Sequence, residues 1–277
     1  MKYSPKNMKE TLETNDFYFK KKFGQNFIVD ENIVKTIVSK AEVDKDTLVI
    51  EIGPGAGSLT SKLVAEAGFV LCYEIDTSLQ SILEENLKEY NNYQIIYEDF
   101  LKREIKKDLE KFSYSKIYVV ANLPYYITTP IINKLIEEDI PVDKIVVMVQ
   151  KEVGDRFKAK PGTKDYGSLT IYLNYYFSIR KIMDISKHVF MPKPNVDSIV
   201  VEFVKKNDKK MVQDEALFFQ LIRDSFVQKR KTLRNNLKAY PLEVIEKVLQ
   251  KYGYDLSVRA ENLEMDIFID IANHLTK

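Results

Sequence analysis

The run Asn122-Leu123-Pro124-Tyr125 places an amide, a proline and an aromatic directly behind an apolar, strand-like stretch, Ile117–Ala121. These residue types suit a specific chemistry. The exocyclic amine of adenine is a poor nucleophile because its lone pair is delocalised into the ring. An asparagine oxygen and a backbone carbonyl can accept its two N–H bonds and draw the nitrogen toward a tetrahedral, nucleophilic geometry. Pro124 donates nothing and fixes the turn, which keeps the Leu123 carbonyl free. Tyr125 offers a face on which a base taken out of its stack can rest. No strong general base is required, which agrees with a chain whose only histidines are His188 and His274. Positioning alone can lower a barrier by roughly 7–11 kcal/mol. As an isolated match the run reads equally well as a turn packed beneath a loop.

A second group of residues could hold a ligand nearby. Gly53, Gly55 and Gly57 fall within five residues, after the β-branched run Thr47–Ile52 and before the helical stretch Leu59–Ala67. Glycine there permits positive φ and close approach of a ligand to the backbone. Ser58 stands where the dinucleotide fingerprint needs its last glycine, which argues against a nicotinamide enzyme. The strand-like Phe69–Ile75 carries Glu74 near its end, 21 residues after Gly53. A carboxylate at such a position can accept both ribose hydroxyls of an adenosine-bearing ligand. Asp76 lies on the same side of the strand, so pattern alone leaves the choice open. A third strand, Tyr93–Tyr97, runs into Glu98-Asp99, where an acid can receive an adenine amino group. Each acid also reads as a cap or turn residue. Their recurrence at successive strand ends favours a site.

The elements that must position these residues alternate. Apolar strands separated by helices, including one near Pro130–Ile136, predict an α/β fold with a parallel sheet covered on both faces, Rossmann-like in character. After Gln150 the rhythm changes: Tyr166–Ile179 and Ser198–Val204 read as longer strands that could form an antiparallel edge. Lys205–Gln213 is charged and polar and reads as a linker. Beyond it, helical spacing is expected over Asp214–Leu237, Leu242–Tyr252 and Ala260–Leu275. The organisation expected is a first domain over residues 1–208 and a small all-helical domain over 209–277.

Composition narrows the function classes. The 277 residues are 45% hydrophobic and 30% charged, with a net charge of +1. Cys72 is the only cysteine, so an intrachain disulfide and the usual Cys/His zinc sites are excluded. No metal is expected, although acids are numerous enough that a carboxylate-bound magnesium stays formally open. The N-terminus lacks the apolar core of a secretion signal and no stretch is apolar enough to span a bilayer, so a cytoplasmic protein is expected. The charge is uneven: residues 205–240 hold ten Lys/Arg against four Asp/Glu. A single helix running from Asp214 through Leu237 would bring Arg223, Arg230 and Arg234 onto one face, with Lys231 beside them. Leu217, Leu221 and Phe226 would then face the first domain. Such a ridge suits a polyanion, and it equally describes a solvated helix face.

The order and spacing of these motifs resemble the rRNA adenine N6-dimethyltransferases. The resemblance is carried by Phe23-Gly24-Gln25-Asn26-Phe27-Ile28, Gly53-Pro54-Gly55-Ala56-Gly57, Glu74, Asp99, Ala121-Asn122-Leu123-Pro124-Tyr125 and Phe190-Met191-Pro192-Lys193-Pro194-Asn195-Val196-Asp197-Ser198. Gln150–Val153, Phe226–Leu237 and Arg259–Asn262 extend it from about Lys20 to the C-terminus. It implies an S-adenosylmethionine pocket formed by Asn26, Ile28, Gly53, Glu74, Asp99 and Asn122, and it selects Glu74 over Asp76 for the ribose. The family usually has leucine where this chain has Ile28, a change that a backbone contact would survive. Phe190 matches an aromatic expected to hold the flipped adenine opposite Tyr125. Of two branches, one dimethylates adjacent adenosines near the 3′ end of small-subunit (16S) rRNA and the other methylates large-subunit rRNA. The Gly-rich turn, Ala121–Pro130 and the basic segment resemble the first, which implies 16S rRNA in the small subunit or its assembly intermediate as partner and a monomeric enzyme. A relative that has lost catalysis is the non-enzymatic alternative, against which the intact Asn122, Pro124 and Tyr125 argue.

Overall fold

A computed structural model of the chain describes residues 3–20 and 23–276. Its strands are β1 (Phe27–Ile28), β2 (Thr47–Ile52), β3 (Phe69–Tyr73), β4 (Tyr93–Ile96), β5 (Lys116–Asn122), β6 (Lys144–Gln150), β7 (Phe177–Ile185), β8 (Phe190–Met191) and β9 (Ser198–Lys205). Seven of them make one sheet in the order β4-β3-β2-β5-β6-β9-β7, and β1 pairs with β8 in a separate two-stranded ladder. Neighbours from β4 to β6 are parallel, and β9 runs antiparallel to β6. The interior strands are near-continuous apolar runs, broken by Glu51 in β2 and Glu202 in β9, because both faces are covered. All six residues of β2 are buried. Helix Glu31–Ala41 contributes Val34, Ile37, Val38 and Ala41 to the core that holds Val49, Val70, Val120 and Val146. Strand order reverses between β2 and β5, and the carboxyl ends flanking such a switch point form a crevice where ligands bind. Gly53 follows one of these ends and Asn122 closes the other.

The chain divides into two compact units, Met1–Gly154 with Arg180–Lys205, and Asp155–Ile179 with Lys206–Lys277. The second is helical and buries Phe218, Leu221, Ile222, Leu233, Ile245, Leu249 and Phe268 in its own core. It also takes in Asp155–Ile179, a segment that the sequence assigns to the first domain.

Two expectations fail here for physical reasons. Tyr166–Ile179 is not a strand: Ser168–Tyr176 is a helix and β7 begins only at Phe177. The Thr, Ile and Tyr content favours a strand locally. Burial of Ile171, Leu173 and Tyr175, and side-chain bonds from Thr170 to the Arg156 carbonyl (2.8 Å) and from Asn174 to the Phe157 carbonyl (3.0 Å), override it. The helix after Asp214 does not reach Leu237. It ends at Ser225, and a turn leads to the four-residue helix Leu233–Asn236. Asn236 Nδ2 donates to the Ser225 carbonyl at 2.6 Å, which occupies an acceptor at the helix end. Arg223, Arg230 and Arg234 therefore share no helical face. Leu221 and Phe226 pack within the second unit's own core, and Leu217 is only partly buried.

Candidate functional site

Behind β2 the chain turns through Gly53 and Gly55 at φ of 72° and 59°, which side-chain-bearing residues rarely adopt. A Cβ on Gly55 would sit 2.7 Å from the Phe27 ring. The bare turn thus gives the site room and lets the N-terminal segment lie against it. This turn lines a single cleft with Phe23–Ile28, Glu74, Asp99 and Asn122–Ile127.

Glu74, just past β3, is almost fully buried. Its Oε2 accepts from the Gly55 N–H (3.1 Å) and its Oε1 from the Asp76 N–H (2.8 Å). Burial pushes its carboxyl up to about 7, against the pull of those backbone donors. Each oxygen keeps a second acceptor site. Asp76 is differently committed. Its Oδ1 accepts from Lys20 Nζ (2.6 Å) and Ser78 Oγ (2.7 Å), its Oδ2 from Gln25 Nε2 (2.7 Å), and it does not line the cleft. Asp99 lines the cleft and uses Oδ1 to cap the turn Phe100–Lys102 through the Leu101 N–H (3.0 Å).

At the end of β5, Asn122 Nδ2 donates to the Asn26 carbonyl at 2.8 Å. A carbonyl can only accept, so this contact fixes the amide orientation and leaves Oδ1 as the acceptor. Oδ1 receives no hydrogen bond from the described residues. Pro124 follows Leu123, whose side chain is buried. Tyr125 is held through its hydroxyl, 2.7 Å from the buried Ser198 Oγ at the start of β9. Tyr126 is exposed and its ring lies 3.2 Å from where a Gly24 Cβ would stand.

Of the residues singled out in the sequence, Asn26, Ile28, Gly53, Glu74, Asp99 and Asn122–Tyr125 come together in this cleft. Phe190 does not. It is 4% exposed, sits opposite Ile28 in the β1–β8 ladder and is absent from the cleft lining. It belongs to the same core cluster as Phe27 and Ile28. Sequence reasoning missed the contacts of Lys20 and Gln25 with Asp76 and of Ser198 with Tyr125. No spacing rule links residues 56, 51 and 73 positions apart.

Glu51 also lines the cleft, from inside β2. Burial pushes its carboxyl up to about 8, and the neighbouring Glu74 adds to this while a hydrogen bond from the Cys72 thiol (3.7 Å) opposes it. Between pH 4.5, its unfolded value, and about pH 8, the folded state keeps a proton that the unfolded state has lost. Stability from this group is therefore present at low pH and lost as pH rises through that window. Glu51→Gln should remove the loss. Urea unfolding at pH 5 and pH 8.5 is expected to show the variant gaining on the parent by on the order of 2–4 kcal/mol at the higher pH; an equal difference at both would refute a protonated Glu51.

In the second unit Arg223 lies on helix Glu215–Ser225 and bonds Gln220 at 2.9 Å. Arg230 and Lys231 are exposed in the turn after it and make no ion pair among the described residues. Arg234, on the short helix, is 3.7 Å from Glu246. No helix among the described residues is long and apolar enough to cross a membrane.

The family model of ribosomal RNA adenine dimethylases matches residues 16–277. A ribosomal RNA small subunit methyltransferase A from Geobacillus sp. (strain WCH70) is 47% identical over 98% of this chain and 97% of its own length. A protein of the same name from Bacillus mycoides (strain KBAB4) is 44% identical over 98% of this chain and 96% of its own. Among solved structures, a dimethyladenosine transferase from Plasmodium falciparum matches with a TM-score of 0.74 at 27% identity, covering 87% of this chain and 94% of that one. The 23S rRNA methyltransferase ErmE matches with a TM-score of 0.71 at 24% identity, covering 91% and 100%, and shares the fold. The chain belongs to the ribosomal RNA adenine dimethylase family.

Proposed function

We propose that the chain transfers methyl groups from S-adenosylmethionine to N6 of two adjacent adenosines near the 3′ end of small-subunit rRNA, giving N6,N6-dimethyladenosine. The observation that carries this is the Asn122 amide, oriented by the Asn26 carbonyl and lining the same cleft as Glu74 and the Gly-rich turn.

The residues present fit the donor. Glu74 has a buried carboxylate with spare acceptor sites for ribose hydroxyls, Asp99 can receive an adenine amino group, and the glycine turn carries no side chain that would fill the space. S-adenosylmethionine supplies, when bound, a methyl group already activated on a sulfonium centre. The chain's own part is to bind, orient and polarise. Asn122 Oδ1 and the Leu123 carbonyl accept the two N–H bonds of the target amine, and Tyr125, held by Ser198, gives the extruded base a surface. Arg223, Arg230, Lys231 and Arg234 supply phosphate contacts that place the RNA without reading its sequence.

The reading is tested with radiolabelled S-adenosylmethionine on small and large ribosomal subunits that lack the modification. Dimethyladenosine recovered from the small subunit is expected. Methylation of the large subunit alone would move the chain to the other branch, and cofactor binding without transfer to either would mark a relative that has lost catalysis.

Glu74 gives the binding step a pH dependence. Its ionised form offers a charged acceptor to two hydroxyls, and with its carboxyl near 7 that form predominates only above neutrality. Affinity for S-adenosylhomocysteine is expected to rise about tenfold from pH 6 to pH 8. Glu74→Gln should bind weakly at both. A pH slope that survives in the variant would assign the titration elsewhere.

A further inference from the structure

Asp76 is a buried carboxylate outside the cleft lining, and its two oxygens hold two side chains of the N-terminal segment. Lys20 reaches Oδ1 and Gln25 reaches Oδ2, while Gln25 Oε1 accepts from the Lys20 N–H at 2.9 Å and closes the group on itself. Burial would raise the Asp76 carboxyl, but the bonds from Lys20, Ser78 and Gln25 outweigh it and hold the group below the ordinary carboxylate range. The same segment is fixed at a second point. One residue beyond Gln25, the Asn26 carbonyl accepts the Asn122 amide. Phe27 lies against Gly55, and Phe23–Ile28 line the cleft throughout. The segment thus spans from the end of β3 to the end of β5. It meets the cofactor side beside Glu74, whose Oε1 accepts from the Asp76 N–H, and it meets the reacting side at Asn122.

We propose that Asp76 is a positioning residue: with Lys20 and Gln25 it latches the N-terminal segment across the cleft, and through Asn26 that latch sets the orientation of Asn122 and the rate at which cofactor leaves. The proposal rests on the reading of the cleft as a cofactor site. A charged hydrogen bond is stronger than a neutral one, and Asp76 is buried while Lys20 is partly exposed; among the described residues no backbone ladder holds this end. Release of Lys20 and Gln25 therefore frees the segment without unfolding the sheet.

The test uses Lys20→Met, Asp76→Asn and the double variant. Lys20 is partly exposed and outside the cleft lining, so its replacement removes one arm of the latch without touching the cofactor pocket. Backbone amide exchange over residues 23–28, followed by mass spectrometry without ligand, is expected to quicken about tenfold in each single variant. S-adenosylhomocysteine should dissociate faster by a similar factor, and the double variant should be no worse than the more affected single one. Unchanged exchange and unchanged dissociation in Lys20→Met would overturn the latch. So would an Asp76→Asn loss of affinity that Lys20→Met does not reproduce, since Asp76 would then contact cofactor directly. Should the parent fail to bind S-adenosylhomocysteine, the reading of the cleft falls, and ligand-free exchange alone decides whether the latch exists.

Discussion

Asn122→Ala is expected to slow methyl transfer by about 10²–10³-fold, the loss typical when one preorganised polar group aimed at a transition state is removed. In the ground state adenine N6 is planar and conjugated, and an acceptor gains little from it. As the nitrogen attacks, its N–H bonds become more acidic and bend out of the ring plane, so an acceptor already in place gains most at that moment. The Asn122 orientation is imposed, since Nδ2 is spent on the Asn26 carbonyl at 2.8 Å, and on the proposed reading the remaining Oδ1 is the acceptor that the target amine meets. Subunit affinity should change by less than about twofold, since the amide contributes mainly to the reacting state. The alanine also releases Asn26, so S-adenosylhomocysteine affinity must be measured in parallel by calorimetry. A large loss of rate with small losses in both affinities is the expected pattern. Equal losses in all three would mean that the N-terminal segment has collapsed and that the amide acts as a strut.

The sheet was legible in the sequence because its central strands are largely buried. Runs such as Thr47–Ile52 and Lys144–Gln150 are mostly apolar, with Glu51 the exception inside β2, and the turn behind β2 needs glycine for its positive φ. The cleft was legible for a related reason. In a doubly wound sheet ligands lie at the carboxyl ends of the strands, so an acid past β3, Asp99 past β4 and Asn122 at the end of β5 could be placed at one rim, while the choice of Glu74 over Asp76 came only from the family resemblance. What escaped depends on contacts between distant residues. Ser168–Tyr176 is helical because Thr170 and Asn174 find backbone partners that local propensity cannot foresee. Phe190 has the residue type of a stacking platform, and its burial and its pairing with Ile28 are set by contacts that no local pattern foresees. Asp76 and Glu74 stand two residues apart with the same chemistry, and their difference lies wholly in Lys20, Gln25 and Ser78.

Arg230→Glu combined with Arg234→Glu is expected to weaken subunit binding roughly 40-fold near 0.1 M salt, taking two lost phosphate contacts at about 0.8 log unit each. The loss of a continuous helix changes the basis of this expectation. A shared helical face no longer aligns these residues; what remains is their exposure and, for Arg230, the lack of an ion partner among the described residues. Arg230 and Lys231 stand on an exposed turn with no ion pair among the described residues, so their charge is available to phosphate. The turn is not left to fluctuate at its base, because Asn236 Nδ2 bridges the Ser225 and Gln228 carbonyls at 2.6 and 3.3 Å. Ordering a basic turn in advance lowers the entropy lost on binding. Arg234 faces Glu246 at 3.7 Å, an exposed pair worth little in water, and phosphate can displace that partner. Reversing both charges should therefore lower the dependence of log affinity on log salt by about 1.4–1.8, which filter binding across a salt series measures directly. Cofactor affinity, set by residues of the first unit, should stay as in the parent. An unaltered salt slope would return these arginines to an ordinary solvated surface and leave phosphate contact to other lysines of the chain.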